Sequence, residues 1–353
     1  MAQVRTRMGD GYVVVLTTDE LRRDLAAGSE DAAQKAKIRP LDEADIDHLT
    51  EIFAYPGRIA GVEPGHEVVL TKDGCANTLY NGQMSSGVGV PLAREQGIRV
   101  MERAFGFDTM EIGHPDYSFK PAKPLVALEQ LCMAQAQLDC VVPLFYGAMP
   151  NMGLYFRPDG PFANPADLLP DGRIEEARET QVEAAARLRD DMLYVSRALD
   201  EVGADGIDFD TTASAGDAEF LATLQAVEEL AAHTDLAIEV GMATELVLGF
   251  HGELDYKGRR LAGLWPHQQL AAVEEAGAHI FGPAITTKTN KSTPWNVARA
   301  CTFVKECSRI ATIPVHANVG MGVGGGPTVE VQPNDVVTRV GVALVEIGRA
   351  DGL

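Results

Sequence analysis

The chain has 353 residues, with 30 Lys and Arg against 51 Asp and Glu, a formal net charge of −21 at pH 7. Phosphate backbones and anionic membranes select clustered Lys and Arg, so this charge argues against nucleic acid and membrane surfaces as partners. Hydrophobic residues at 46% and charged residues at 23% are the proportions of a globular protein with a sizeable core, not of a disordered chain.

At the N-terminus the apolar run Tyr12–Leu16 is too short for a signal peptide or a membrane span. The five cysteines, Cys75, Cys132, Cys140, Cys301 and Cys307, are odd in number and never spaced as CxxC. They predict reduced, buried thiols in a cytoplasmic protein rather than disulfides or a thiolate metal site. Residues 1–90 read as an N-terminal extension. Short apolar runs (Tyr12–Leu16, Glu67–Leu70) alternate with acidic and Gly/Pro-rich stretches, Asp42–Ile52 reads as a helix, and Asn81–Val90 as a loop.

From residue 91 a helix–turn–strand rhythm runs to the end. Helix Pro91–Phe105 leads to strand Thr109–Gly113, and helix Leu125–Leu138 to strand Val141–Tyr146. In Arg173–Val202 the apolar residues Val182, Ala185, Leu188, Met192, Val195, Leu199 and Val202 recur every three or four positions, the spacing of one helix face. Gly203 is a C-terminal cap, and strand Ile207–Asp210 follows. Helix Asp217–Ala231, with Phe220, Leu224, Val227 and Leu230 inward, precedes strand Ala237–Gly241. Helix Pro266–Ala276 precedes strand His279–Gly282. Helix Pro294–Ser308, capped by Thr293, precedes strand Pro314–Ala317. A last helix, Asp335–Ile347, turns Val336, Val340, Ala343 and Ile347 inward.

Helices alternating with short apolar strands predict an α/β fold with a parallel sheet. Units of similar length, and no strand opening into a GxGxxG turn, favour a TIM (β/α)8 barrel over 91–353 rather than an open doubly wound sheet. The segment 344–353 (LVEIGRADGL) repeats 199–208 (LDEVGADGID): helix end, Gly, Ala-Asp-Gly, then an aliphatic residue opening a strand. The position after Leu353 is therefore equivalent to Asp208, and the barrel is expected to be incomplete, lacking the rest of its seventh strand and its eighth unit.

Chemistry in such a barrel is expected at the C-terminal strand ends. Those ends carry Glu111, His114 and Asp116; then Asp208 and Asp210; then Glu239, followed by Glu245; and lastly His316 and Asn318. Carboxylates in apolar strands are costly to bury without partners, which makes Asp208, Asp210 and Glu239 the candidate catalytic residues. Alternation puts Asp208 and Asp210 on one side and Phe209 on the other. Glu111, His114, Asp116, His316 and Asn318 are candidates for the surrounding pocket. The spacing of His114, Asp116 and His316 is not diagnostic of a metal site. The loop Gly320–Gly326 lacks the Lys-Ser/Thr of a P-loop.

Five strings, at 101–121 (MERAFGFDTMEIGHPDYSFKP), 141–162 (VVPLFYGAMPNMGLYFRPDGPF), 203–218 (GADGIDFDTTASAGDA), 262–269 (AGLWPHQQ) and 316–327 (HANVGMGVGGGP), resemble the pyrrolysine-containing dimethylamine:corrinoid methyltransferases. The resemblance runs from Met8 to Leu353. It implies a TIM barrel that moves a methyl group from dimethylamine to the Co(I) corrinoid of a cognate corrinoid protein, releasing methylamine. The corrinoid would belong to that partner, and no cofactor would be bound by this chain. It further implies a pyrrolysine, encoded by an in-frame amber codon, directly after Leu353. A homo-oligomer is expected, since barrel enzymes commonly self-associate. Two other readings stand beside it: a metal-assisted lyase or hydrolase using His114, Asp116, Glu239 and His316, and a non-catalytic remnant that binds the corrinoid protein.

Overall fold

A computed structural model describes residues 3–9, 12–68, 76–79, 90–93, 145–148, 152–158, 160–286, 290–317 and 334–353. The expected strand Thr109–Gly113, the helix Leu125–Leu138 and the glycine loop Gly320–Gly326 lie outside the described residues, as do Cys75, Cys132 and Cys140.

The chain opens with an antiparallel hairpin of β1 (Gln3–Arg7) and β2 (Val13–Thr17). Helix α1 (Thr18–Ala36) follows, started by a capping box between Thr17 and Glu20, and then α2 (Glu43–Ala54), started by one between Asp42 and Asp45. Apolar periodicity in the sequence does not mark α1. Its buried stripe is Leu21, Leu25, Gly28, Ser29, Ala32, Ala33 and Ala36, and small residues of this kind carry little hydrophobic signal. Strands β3 (Ala76–Leu79) and β4 (Val90–Ala93) pair antiparallel. Pro91–Ala93 are thus strand, not the opening turn of a helix; the remainder of that expected helix lies outside the described residues.

The central sheet is parallel. It contains β5 (Phe145–Ala148), β6 (Gly206–Thr212), β7 (Ala237–Met242) and later β10 (Ile280–Gly282), in the spatial order β5-β6-β7-β10. Between β5 and β6 lie the short α3 (Pro165–Leu168) and the long α4 (Ile174–Glu201). Helix α5 (Asp217–His233) joins β6 to β7. A small hairpin, β8 (Asp255–Tyr256) and β9 (Arg259–Arg260), and helix α6 (Pro266–Ala276) precede β10. Helices α7 (Thr293–Ile310) and α8 (Asn334–Glu346) complete the set.

The ladder continues past β10. The Phe281 N–H donates to the Pro314 carbonyl (3.0 Å) and the His316 N–H to the Phe281 carbonyl (2.9 Å). Beyond that segment, the Asp351 N–H donates to the Val315 carbonyl and the Ala317 N–H to the Gly352 carbonyl, both at 2.9 Å. Single parallel bridges mark both steps, Phe281 with Val315 and His316 with Gly352. Each parallel segment thus lies beside its neighbour in sequence, from 145–148 through to 351–352. A doubly wound sheet reverses its order at a switch point; this one does not. Among the described residues the sheet remains open. Successive helices also pack on one another: α4 on α5, α5 on α6, α6 on α7 and α7 on α8.

The repeat at 199–208 and 344–353 has a structural counterpart. The Ala204 N–H donates to the Leu199 carbonyl and the Ala350 N–H to the Leu344 carbonyl, each at 3.0 Å. Gly203 takes φ +82° as the cap requires. Leu353, like Ile207, is buried.

The inward faces expected for α5 and α8 are buried, including Phe220, Leu224, Val227 and Val340 at 0% exposure. Helix α4 buries the middle of the expected stripe, Ala185, Leu188 and Met192, while its two ends, Val182 and Val202, are exposed. Ala177, Gln181, Ala184 and Ser196 complete the inward face. Alanine and serine let that helix lie close to its neighbours, and a search for large apolar residues does not register them. The N-cap of α7 is Ser292 rather than Thr293: its hydroxyl accepts from the Trp295 N–H and donates to Asp24 Oδ2 (2.5 Å). Trp265 stacks on Phe303, with ring centroids 5.8 Å apart. Cys301 and Cys307 are buried free thiols whose pKa burial pushes up.

Helix α1 lies along α7, and Gly28 is the point of closest approach. A Cβ there would sit 2.1 Å from the Trp295 carbonyl oxygen, a backbone atom that cannot swing aside. Gly28→Ala is expected to force the two helices apart and to cost about 2 kcal/mol, within the range for overpacked cores. The midpoint of chemical denaturation measures it, and an unchanged midpoint counts against this account of the contact.

Candidate active site

Strands β6 and β7 alternate between two environments. Ile207, Phe209, Ile238 and Val240 are fully buried and, with Phe281 and Val315, join the apolar residues of the helices in one core. The opposite face carries Asp208 and Asp210 on β6 and Glu239 and Gly241 on β7. Asp208 stands in register with Glu239 on one side and with Gly147 on the other. Gly282 pairs with Gly241. His316 closes the row: its Nδ1 lies 2.5 Å from Glu239 Oε1.

The sheet therefore brings together four of the residues singled out from sequence: Asp208, Asp210, Glu239 and His316. Glu111, His114, Asp116 and Asn318 lie outside the described residues. Among the described residues no group of three or more His, Cys, Asp or Glu is arranged to hold a metal ion, and no helix is long and apolar enough to cross a membrane.

Burial of the His316 imidazole lowers its pKa. The hydrogen bond and charge of Glu239, a hydrogen bond to the Leu353 backbone and the charge of Asp210 outweigh that, so the net direction is upward. Gly241 was not singled out from sequence, although a glycine inside a strand is a signal of close approach. A Cβ there would meet Asp210 Oδ1 at 3.2 Å and Asp208 Oδ1 at 3.5 Å. Both carboxylates lean over this position, and a side chain on it would crowd them.

Other buried acids near this end of the sheet are struts. Glu219 is fully buried and accepts from the Ser214 N–H (2.9 Å), the Ser214 hydroxyl (3.1 Å) and the Ala215 N–H (3.2 Å), which holds the turn after β6. In that turn Gly216 takes φ +98°, and a Cβ on it would sit 2.7 Å from the Leu248 carbonyl oxygen. Asp217, also fully buried, accepts from the Gly252 N–H (2.8 Å) and pairs with His251 Nδ1 (3.2 Å), while His251 Nε2 contacts the Arg178 carbonyl (3.0 Å). His251 thereby fastens the loop after β7.

Glu245 follows Glu239 by only six positions but does not join the site. It forms a two-pronged ion pair with Arg299, which also donates to Asp31 (2.9 Å) and to the Thr286 carbonyl (2.8 Å). This clasp ties the loops after β7 and β10 to α1. Beside the fastened loops opens a cleft of about 430 Å³, lined by Pro165, Leu169, Gln181, Ser214, Leu248 and Phe250 among others. Leu248 and Leu169 are exposed there.

A family model described as dimethylamine methyltransferase matches residues 2–353. The chain belongs to the dimethylamine methyltransferase family. No solved structure gives a significant match. Membership places the chain among methyltransferases.

Glu219 carries a test of the scaffold. Burial pushes its pKa from 4.5 up to about 8, against the donors that pull it down. Between those two values the folded chain holds a proton that the unfolded chain releases. The contribution of this group to stability is therefore fullest below pH 4.5 and is lost as the pH rises through 8. Glu219→Gln cannot ionise and is expected to flatten that slope in melting temperatures recorded across this range. A variant curve parallel to the wild-type curve would assign the slope elsewhere.

Proposed function

We propose that the chain transfers a methyl group from dimethylamine to the Co(I) corrinoid of a separate corrinoid protein, on a TIM barrel whose mouth is the carboxylate face. The barrel reading draws on the unbroken sequential order of the parallel segments and on the stacking of each helix on the next. The observation that carries the reaction is the row Asp208–Glu239–His316 with Asp210 beside it. In the balanced step, (CH3)2NH, Co(I) and a proton give CH3NH2 and CH3–Co(III). The C–N bond breaks with its electron pair passing to nitrogen, and the cobalt supplies the pair for the new Co–C bond.

This chain's residues bind and orient the amine. The carboxylates attract dimethylammonium, and one of them, Asp208 or Asp210, takes its extra proton so that the nitrogen lone pair becomes available. Protonated in turn, the same group can return a proton to the nitrogen as the C–N bond breaks. Hydrogen-bonding groups held on strands need no reorganisation as charge shifts, which is where their catalytic value lies.

A pyrrolysine directly after Leu353 fits this face. Its imine carbon would supply an electrophile for the amine. Gly352 pairs with His316 and Leu353 is buried, so alternation turns the next side chain toward the carboxylates. Exposed Leu248 and Leu169 near the same end offer the corrinoid protein an apolar contact.

The assay is methylation of Co(I) in the corrinoid protein, followed by its visible spectrum, with mono-, di- and trimethylamine and with pyrrolysine incorporated after Leu353. Cobalt methylation with dimethylamine is expected to exceed that with the other two. Asp208→Asn and Asp210→Asn should each lower the rate, the one that carries the proton by about 100-fold or more, as for loss of a general acid or base. No methylation with dimethylamine, or wild-type rates in both variants, would sink the proposal.

A further inference from the structure

His316 differs from the acids around it in what it touches. Its Nδ1 meets Glu239 on β7 at 2.5 Å, and its ring also hydrogen-bonds the backbone of Leu353. A carboxylate and a backbone carbonyl both accept, so the imidazole acts as donor toward each. Its own backbone is bonded to β10 through the Phe281 carbonyl and bridged to Gly352. The side chain is 18% exposed and that of Glu239 11%, so water screens the pair only partly. Among the described residues, the charges that act on the ring are those of Glu239 on β7 and Asp210 on β6. Strand β10, Ile-Phe-Gly, adds none. All of these charges are negative, and each favours a cation at this position.

We propose that His316 is a positioning residue: as an imidazolium it donates to Glu239 and to the backbone of Leu353 together. This fixes the carboxylate between two strands and aims the chain that follows Leu353 at the β6 carboxylates. Glu239 is then held in one place by its partner, beside Asp208 and Asp210. What is aimed rests on the methyl-transfer reading; the linkage of β7 to the segment 351–353 exists whatever reaction the face performs.

The test has a spectroscopic arm that needs no turnover. The full chain, labelled with 15N at its eight histidines, is titrated by two-bond 15N–1H spectra, with His316 assigned by the signal lost in His316→Asn. Both ring nitrogens are expected to carry protons at pH 7, with a midpoint above the ordinary value of about 6.5. Glu239→Gln should lower that midpoint by about one pH unit or more, the effect of removing a close opposite charge. A neutral ring at pH 7, or a midpoint unmoved in Glu239→Gln, overturns the proposal.

The second arm uses cobalt methylation. His316→Asn keeps an N–H near the position of Nδ1 but carries no charge. It should lower kcat about tenfold or more while changing KM for the amine by less than about threefold, and the fall in rate toward alkaline pH should vanish, since no imidazolium remains to lose its proton. A pH–rate profile coincident with the wild type also overturns it. If the wild-type protein methylates no cobalt, the methyl-transfer reading falls, and the spectroscopic arm still decides the role of His316.

Discussion

Asp208 and Glu239 stand side by side on parallel neighbouring strands, with Phe209 and Val240 sealed into the core behind them. That register creates an energetic difficulty and a chemical opportunity together. Carboxylates at adjacent strand positions repel, and a partly dry setting strengthens the repulsion. The strands cannot relax by turning over, because a one-residue slip would bring the acids into the core and expose the aromatic and aliphatic side chains. The strain must be met on the carboxylate face itself. His316 meets part of it from the segment after β10, and Gly241 relieves crowding beside Asp210 and Asp208. A face so arranged gathers three carboxylates and one imidazole.

Three buried acids in this protein are structural. Glu219, Asp217 and Glu245 are each surrounded by fixed donors from backbone, histidine or arginine. They hold the loops that follow β6, β7 and β10. Breaking such a buried network leaves an uncompensated charge, which is why the loops stay in one arrangement. Asp208 and Asp210 project from β6, and Glu219 holds the turn that follows that strand.

The N-terminal segment belongs to that support. Helix α1 presses Gly28 against Trp295, and Asp31 on the same helix completes the clasp of Arg299 with Glu245. Its role was illegible in the sequence because a stripe of Ala, Gly and Ser looks like a polar surface to any measure based on large apolar side chains. In helix α4 the same small residues hid part of the buried face: Ala185, Leu188 and Met192 are inward as expected, but Ala184 and Ser196 join them while Val182 and Val202 turn outward. Glu245, close in sequence to Glu239, looked like a second acid of the site until Arg299 claimed it.

From the sequence alone the helix–strand rhythm, the Gly203 cap, the duplication at 199–208 and 344–353, and the shared side of Asp208 and Asp210 could be read. Each follows from local rules: 3.6 residues per helical turn, two per strand repeat, and the φ angles a residue allows. Tertiary structure alone decided which faces met. His316 and Glu239 are 77 positions apart, and Arg299 and Asp31 are 268 apart. Such pairings depend on strand register and on how closely helices approach. Those are set by packing of the whole core, and no local periodicity encodes them.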